Sequence, residues 1–230
     1  MTLFKKVKRK IWKIFFKNAR LSYAQSGEDM ILDTIFCNVK NGFYIDIGAN
    51  NPWVQSNTYF FYRKGWRGIN IDALPGMKIS FDKHRPRDIN VEAAIDNDEK
   101  ELHYYMFKSS FYNTFSQNDA EKIKQHSPLI GMKTIRTTSL SNILNQYNVE
   151  NIDFLSCDVE GMDINVFKSN DWAKYRPKII ITEYFYNGID KIKQDAVYQY
   201  LSEQKYIYLC NSSTNAFYID TAYHYERFKR

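Results

Sequence analysis

Acidic residues stand where short apolar runs of this sequence end. Asp46, Asp72, Asp158, Glu160 and Glu183 each close or directly follow such a run. Parallel strands present their carboxyl ends at one edge of a sheet, so these carboxylates are expected to meet in one pocket. There they can accept hydrogen bonds from a ribose, take a proton from a reacting group or hold a hard cation.

Asp158 and Glu160 are the first candidates for a general base, and Glu183 is the third. Residues two apart on a strand share a face, so Asp158 and Glu160 can turn toward the same pocket if the strand continues through them. Like charges held close together raise the pKa of one carboxyl toward a useful range. The alternative is structural: Asp158 caps the following helix or orients a cofactor amine, Glu160 braces a loop, and Glu183 is equally ambiguous.

The residues that follow the apolar run at 43–47 indicate a cofactor site. Gly48 allows a cofactor to approach the backbone closely, and Asp72, at the end of the second strand, can accept both hydroxyls of a ribose. No GxGxxG pattern follows, which argues against a dinucleotide such as NAD. A cofactor with a ribose, a cationic centre and no phosphate, such as S-adenosylmethionine, suits this acid-rich, glycine-poor site better.

The elements that position these residues alternate between strand and helix. An antiparallel hairpin, predicted for 206–210 and 216–220, closes the chain and is typical of methyltransferase-type sheets. We predict an α/β fold with a doubly wound, mostly parallel seven-stranded sheet and this C-terminal hairpin. The other predicted strands are 43–47, 68–72, 90–94, 152–158 and 178–183, and the predicted helices are 25–36, a helix capped by Ser56 or Asn57 and ending at Gly65, 77–84, 163–169 and 190–203.

Residues 95–140 fit the alternation poorly. The pattern at 101–107 predicts a strand, whereas 108–133 is long, polar and irregular. We interpret this segment as an insertion over the carboxyl ends of the strands, where it shapes an acceptor pocket. A disordered flap is the alternative.

Six motifs, in order, resemble the FkbM family of S-adenosylmethionine-dependent methyltransferases over roughly residues 23–185. The resemblance implies a Rossmann-like methyltransferase fold, O-methylation of a hydroxyl, often on a sugar or polyketide, and a cofactor site at Asp46, Gly48, Asn50 and Asp72. The matching stretches are 23–29, 43–50, 56–58, 65–72, 152–161, and 170–172 with 176–178.

The resemblance also implies that Gln25, Ser26 and Glu28 reach over the cofactor, although a capping box explains the same pattern. Two departures from the family stand out. Many relatives carry Glu where this chain has Asp72, and the shorter acid can still chelate a ribose diol. Many also carry Lys near the Val-Glu-Gly element, where this chain has Ser156 and Cys157, so a mechanism that uses this lysine is not expected.

Composition indicates one folded domain. Of 230 residues, 44% are hydrophobic and 17% are aromatic, which excludes disorder over most of the chain. Three widely spaced cysteines without a CxxC pair suggest neither a disulfide scaffold nor a zinc site and fit a reducing cytosol. No apolar stretch is long enough for a membrane span or a signal peptide, so a cytoplasmic location is expected.

Charge is concentrated in residues 1–20, which carry eight of the basic side chains and no acid. Without them the formal charge of the chain changes from +6 to −2, so residues 21–230, the methyltransferase domain, give no reason to expect nucleic-acid binding. Apolar residues at 4, 7, 11, 14 and 15 predict a basic amphipathic helix that lies on an anionic membrane. A helix packed on the domain or on a twin subunit, and a nucleic-acid arm, remain alternatives.

Together these patterns predict a cytoplasmic O-methyltransferase, peripheral on the inner face of the membrane, that methylates a sugar in a lipid-linked or surface glycan. Mg²⁺ held by the three acids is a possibility that we do not favour. The rivals are a nicotinamide-dependent oxidoreductase and a membrane-tethered binding module without turnover. The four histidines do not cluster, and only His126, in the insertion, is a candidate for testing. The oligomeric state is not predicted.

Overall fold

The computed structural model describes residues 19–159, 161–185 and 188–228. Within these ranges the chain alternates between strands and helices, as the sequence pattern predicts. The strands are β1 Phe43–Ile47, β2 Arg67–Asp72, β3 Ile89–Glu92, β4 Ala94–Ile95, β5 Glu101–Phe107, β6 Leu129–Thr138, β7 Phe154–Cys157, β8 Ile179–Glu183, β9 Tyr206–Asn211 and β10 Asn215–Asp220. The helices are α1 Glu28–Ile35, α2 Tyr59–Lys64, α3 Met77–His84, α4 Gln117–Ile123, α5 Leu140–Gln146, α6 Asp163–Lys168, α7 Ile189–Ile192, α8 Ala196–Glu203 and α9 Thr221–Phe228, with a 3₁₀ turn at Ser110–Tyr112.

Seven strands form one sheet in the order β3-β2-β1-β7-β8-β10-β9. The first five pair in parallel, and β10 runs antiparallel to both β8 and β9. The predicted doubly wound, mostly parallel sheet with a C-terminal antiparallel hairpin is therefore confirmed. Strand order reverses beside β1, which is where such sheets bind ligands.

The central strand β1 is buried on both faces. Ile45 and Ile47 belong to the hydrophobic core on one side of the sheet, while Tyr44 belongs to the core on the other side. Successive strand residues point to opposite faces, so a run with almost no polar residue is the pattern that a doubly covered strand requires. Asp46 interrupts this run and is itself buried.

A second, three-stranded sheet in the order β4-β6-β5 corrects the sequence interpretation of the insertion. The strand predicted at 101–107 is confirmed, but part of 108–133 is not irregular, because β6 pairs antiparallel with β5. The side chains of β6 are mostly exposed, so it lacks the apolar alternation by which a half-buried strand is recognised. The strand predicted at 90–94 is also divided, since β3 lies in the large sheet and β4 in the small one.

Helix boundaries differ from the predictions at two places. The helix predicted at 25–36 begins at Glu28, after Gly27 at φ +82°, and Ser26 does not cap it. The helix predicted at 190–203 is two helices, because the Asp195 side chain accepts the backbone N–H groups of Val197 and Tyr198 and starts α8 anew.

The helix predicted to end at Gly65 is confirmed there, but its N-cap is Thr58 and not Ser56 or Asn57. The Ser56 hydroxyl nevertheless accepts the backbone N–H of Tyr59, the first helical residue, at 3.1 Å. The predicted basic helix at 1–20 falls almost entirely outside the described residues. Among the residues that are described, no helix is long and apolar enough to cross a membrane.

Candidate active site

A cavity of about 570 Å³ opens at the carboxyl ends of β1, β2, β7 and β8. Its volume is in the range of small-molecule sites. Most of the residues singled out in the sequence line it: Gln25, Asp46, Gly48, Asn50, Asp72, Asp158 and Glu183.

Gly48 allows two backbone segments to pack closely at the floor of the cavity. Its φ is +77°, and a Cβ at this position would lie 1.7 Å from the Asp158 carbonyl oxygen, so only glycine fits. The Gly48 N–H donates to the Ile71 carbonyl at 2.9 Å, and the Asp158 N–H donates to the Ile47 carbonyl at 2.9 Å. The segments that leave β1 and β7 are thus packed backbone against backbone.

Asp72 binds the loop that follows β1. Its Oδ2 accepts the Asn50 N–H and its Oδ1 accepts the Leu74 N–H, each at 2.7 Å. A carboxylate has about four lone-pair positions, so two accepted bonds leave capacity for hydroxyl donors. Burial raises the pKa of Asp72, and the two backbone donors oppose this rise.

Non-glycine residues with positive φ also occur in the cavity wall. Asn50 has φ +46° and Gln55 has φ +53°, and both line the cavity. Left-handed backbone is unfavourable for residues other than glycine, and such strain concentrates at functional sites. This observation supports the cavity as the functional site independently of its acids.

Asp46 lies on β1 with its carboxylate turned to Thr58, whose hydroxyl donates to Oδ2 at 2.5 Å. Burial raises the pKa of Asp46 to about 6, whereas the positive charge of Arg85 and the Thr58 hydrogen bond lower it. No local sequence pattern indicates that Thr58 and Arg85 support Asp46.

Arg85 is fully buried behind Asp46. Its guanidinium donates to Asp88 at 2.9 Å, to the Tyr44 hydroxyl at 2.7 Å and to the Thr58 hydroxyl at 2.9 Å. The buried guanidinium therefore has both carboxylate and hydroxyl partners, as a buried cation requires. Arg85 therefore holds Thr58, and through it Asp46, in place.

Asp158 is the most perturbed acid of the cavity. Its pKa is raised to about 7, first by burial and then by the charges of Glu183, Asp163, Asp46 and Asp72. No donor among the described residues forms a hydrogen bond to its carboxylate. A pKa near 7 inside the cavity suits a general base that works at neutral pH.

Two of the other predicted site residues are described by the structure but do not line this cavity. Ser26 and Glu28 do not line it: the Glu28 carboxylate is fully buried and accepts the Ser212 hydroxyl at 2.6 Å and the Asn215 amide at 3.1 Å. This carboxylate ties α1 to the β9–β10 turn, which satisfies it without a ligand. Glu160 lies outside the described residues.

Several lining residues were missed. Asn57 donates to the Ser156 hydroxyl at 3.0 Å, and both lie in the cavity wall; both occur in stretches that carry the family resemblance. Residues 109–115 of the insertion also line the cavity, which confirms that part of the insertion covers the strand ends. His126 is not among the lining residues. Its ring lies edge-on to the Tyr112 ring, with 6.2 Å between the two ring centroids.

Metal ligands do not group here. In the part of the chain that the structure describes, no three His, Cys, Asp or Glu residues are placed to hold a metal ion.

Comparisons with known proteins were made for both sequence and structure. The family model described as the methyltransferase FkbM domain matches residues 46–208, whereas curated proteins gave no significant sequence match.

The solved structures that are similar to the chain include two methyltransferases. One is a TehB-like SAM-dependent methyltransferase from Corynebacterium glutamicum ATCC 13032 Kitasato, with 7% identity, a TM-score of 0.44, and coverage of 94% of this chain and 98% of that chain. The other is phosphoethanolamine N-methyltransferase 1 from Haemonchus contortus, with 9% identity, a TM-score of 0.32, and coverage of 95% of this chain and 44% of that chain. Because the FkbM model covers well over half of the sequence, the chain belongs to the FkbM methyltransferase family and is an S-adenosylmethionine-dependent methyltransferase.

Proposed function

We propose that this enzyme methylates a hydroxyl of a sugar, in a lipid-linked or surface glycan. The observation that carries the proposal is Asp158, an acid with a pKa of about 7 inside the cavity that also holds Asp46 and Asp72. A base whose pKa is close to the operating pH suits proton removal from a hydroxyl.

The fit of the cofactor is supported by the floor of the cavity. S-adenosylmethionine supplies the methyl group. Asp72 would accept the ribose hydroxyls with its remaining lone pairs, and Gly48 lets the loop after β1 pack against the Asp158 backbone beneath the cofactor. Small and aromatic side chains form an apolar wall that suits an adenine ring: Ala73, Ala93, Ala94, Ile95 and Tyr104.

Asp158 is proposed to accept the proton of the acceptor hydroxyl while the hydroxyl oxygen forms the new bond to the methyl carbon. The bond between this carbon and the sulfonium sulfur breaks in the same step, and S-adenosylhomocysteine is the leaving group. The charge of Glu183, on the neighbouring strand, raises the pKa of Asp158 and so makes its carboxylate a stronger base. Positioning of the two reactants supplies much of the rate in such a transfer. Asp158 then holds the proton until it passes to solvent.

Aromatic side chains at the cavity mouth support a sugar as the acceptor. Phe111, Tyr112 and Phe185 line the cavity and are each strongly exposed. Flat aromatic faces bury the apolar face of a ring, while nearby polar groups bind its hydroxyls. Ser109 and Asn113 stand on the same segment as the first two aromatics.

A labelled-methyl assay tests this proposal. Purified enzyme is incubated with methyl-labelled S-adenosylmethionine and lipid-linked glycans, and the sugars are released by hydrolysis and analysed by mass spectrometry. We expect a labelled O-methyl sugar from the wild type and from Asp98→Asn, whose side chain is exposed, but a loss of at least about a hundredfold with Asp158→Asn. Label on nitrogen, or full activity of Asp158→Asn, would contradict the proposal.

Membrane association through residues 1–20 is part of the same proposal and rests on their charge and apolar spacing. Flotation with vesicles that contain anionic lipid tests it. The full chain is expected to float and a chain that begins at residue 21 to remain below, with equal affinity for S-adenosylhomocysteine. Flotation of the shortened chain would refute this anchor, and a change of oligomeric state on truncation would favour packing on a twin subunit instead.

A further inference from the structure

The segment Ser109–Phe115, here called the acceptor segment, is anchored at its base. Its Thr114 exchanges two backbone hydrogen bonds with Tyr105 of β5, at 2.9 and 3.2 Å. The Asn113 side chain accepts the Phe107 N–H at 2.8 Å. Asn113 and Thr114 are buried, so this end is held by the small sheet whether or not a ligand is present.

The tip of the acceptor segment has a different attachment. Phe111 and Tyr112 are half exposed, and Ser110 beside them donates from Oγ to the Asn50 side-chain oxygen at 2.7 Å. Asn50 belongs to the loop after β1, sixty positions earlier in the chain. The tip is thus tied to the loop that belongs to the cofactor side of the cavity.

Asn50 is in turn held by the acid proposed to bind ribose. Its backbone N–H donates to Asp72 Oδ2 at 2.7 Å, and its backbone is in the left-handed region. A chain of two hydrogen bonds therefore runs from Asp72 through Asn50 to Ser110. A ligand that fixes Asp72 and the loop also fixes the acceptor of the Ser110 hydrogen bond.

We propose that Ser110 is a positioning residue that couples the two halves of the cavity, so that cofactor binding orders the acceptor segment and the sugar binds second. The inference rests on the proposed function, because it requires the cofactor to bind at Asp72. Coupling is reciprocal, so an ordered acceptor segment also strengthens cofactor binding. The tie is one neutral hydrogen bond, which limits the effect to about two- to tenfold.

Hydrogen exchange of backbone amides tests the coupling with S-adenosylhomocysteine as the probe. We compare residues 109–115 with and without the probe in the wild type, Ser110→Ala and Ser109→Ala. Ser109 is the matched control: it lines the same cavity wall, and its side chain makes no hydrogen bond to the Asn50 loop. Exchange in β1 serves as the measure of intact folding in each variant.

We expect the probe to slow exchange at 109–115 by about two- to tenfold in the wild type and in Ser109→Ala, and to leave it unchanged in Ser110→Ala. Equal protection in Ser110→Ala, or none in a wild type that binds the probe, would overturn the coupling alone. Failure of the wild type to bind the probe in a parallel titration would overturn the cofactor assignment and the coupling with it.

Discussion

Replacing Asp158 with Asn should stabilise the protein, by an amount that grows with pH. The pKa of Asp158 is raised from 3.8 to about 7, so the folded state binds the proton more tightly than the unfolded chain does. The stability associated with this proton is fully present below pH 4 and is lost as pH rises toward 7. Asparagine is neutral like the protonated acid, so the variant does not lose this stability as pH rises.

The size of the effect follows from the pKa change. Each pKa unit corresponds to roughly 1.4 kcal/mol, so ionised Asp158 costs up to about 4 kcal/mol above pH 7. At pH 4.5 the same relation gives only about 1 kcal/mol. The gain in unfolding free energy from Asp158→Asn should therefore rise by about 2–3 kcal/mol between pH 4.5 and pH 8.

Urea denaturation at the two pH values, followed by tryptophan fluorescence, measures this change. Asp153→Asn is the matched control, because Asp153 accepts the Phe43 N–H at 2.8 Å and pairs with Lys178 at 2.6 Å. The control should lower stability at pH 8. A destabilised Asp158→Asn at pH 8, or a gain that does not depend on pH, would refute the electrostatic account of the cavity.

Three further predictions follow from the same contacts. Gly48→Ala should cost more than about 2 kcal/mol in urea denaturation and weaken binding of S-adenosylhomocysteine, since the new Cβ meets the Asp158 carbonyl; unchanged stability would contradict the close approach. Thr58→Val should lower the free energy of unfolding by about 1–3 kcal/mol, because Asp46 and Arg85 each lose a partner, and a neutral effect would count against this network. Glu183→Gln should move the acidic limb of the pH–rate profile for methyl transfer to lower pH, since it removes a charge that raises the pKa of Asp158; a shift to higher pH would reverse the argument.

The convergence of the acids was predictable from the sequence. Asp46, Asp72, Asp158 and Glu183 lie at or next to the carboxyl ends of parallel strands, and the topology of a doubly wound sheet alone brings such ends together. The strands themselves were readable because their apolar runs are buried on both faces.

Long-range polar partners could not be predicted. Arginine is rarely fully buried. No sequence pattern near Arg85 indicates that Tyr44, Thr58 and Asp88 enclose its side chain. The tie between Ser110 and Asn50 likewise depends on how the insertion folds back. The same holds for Glu28, because its motif gives no sign that its carboxylate accepts hydrogen bonds from the β9–β10 turn.

Calorimetric titration with S-adenosylhomocysteine tests the central claim, that the cavity at Asp46, Gly48 and Asp72 is the cofactor site. Wild type and Asp72→Ala are compared, with NAD as the second ligand. Loss of charge-assisted hydrogen bonds to the ribose should weaken binding by about 1–3 kcal/mol, or roughly 5- to 150-fold, and NAD should not bind. Equal affinity in Asp72→Ala, or binding of NAD in place of S-adenosylhomocysteine, would contradict the account.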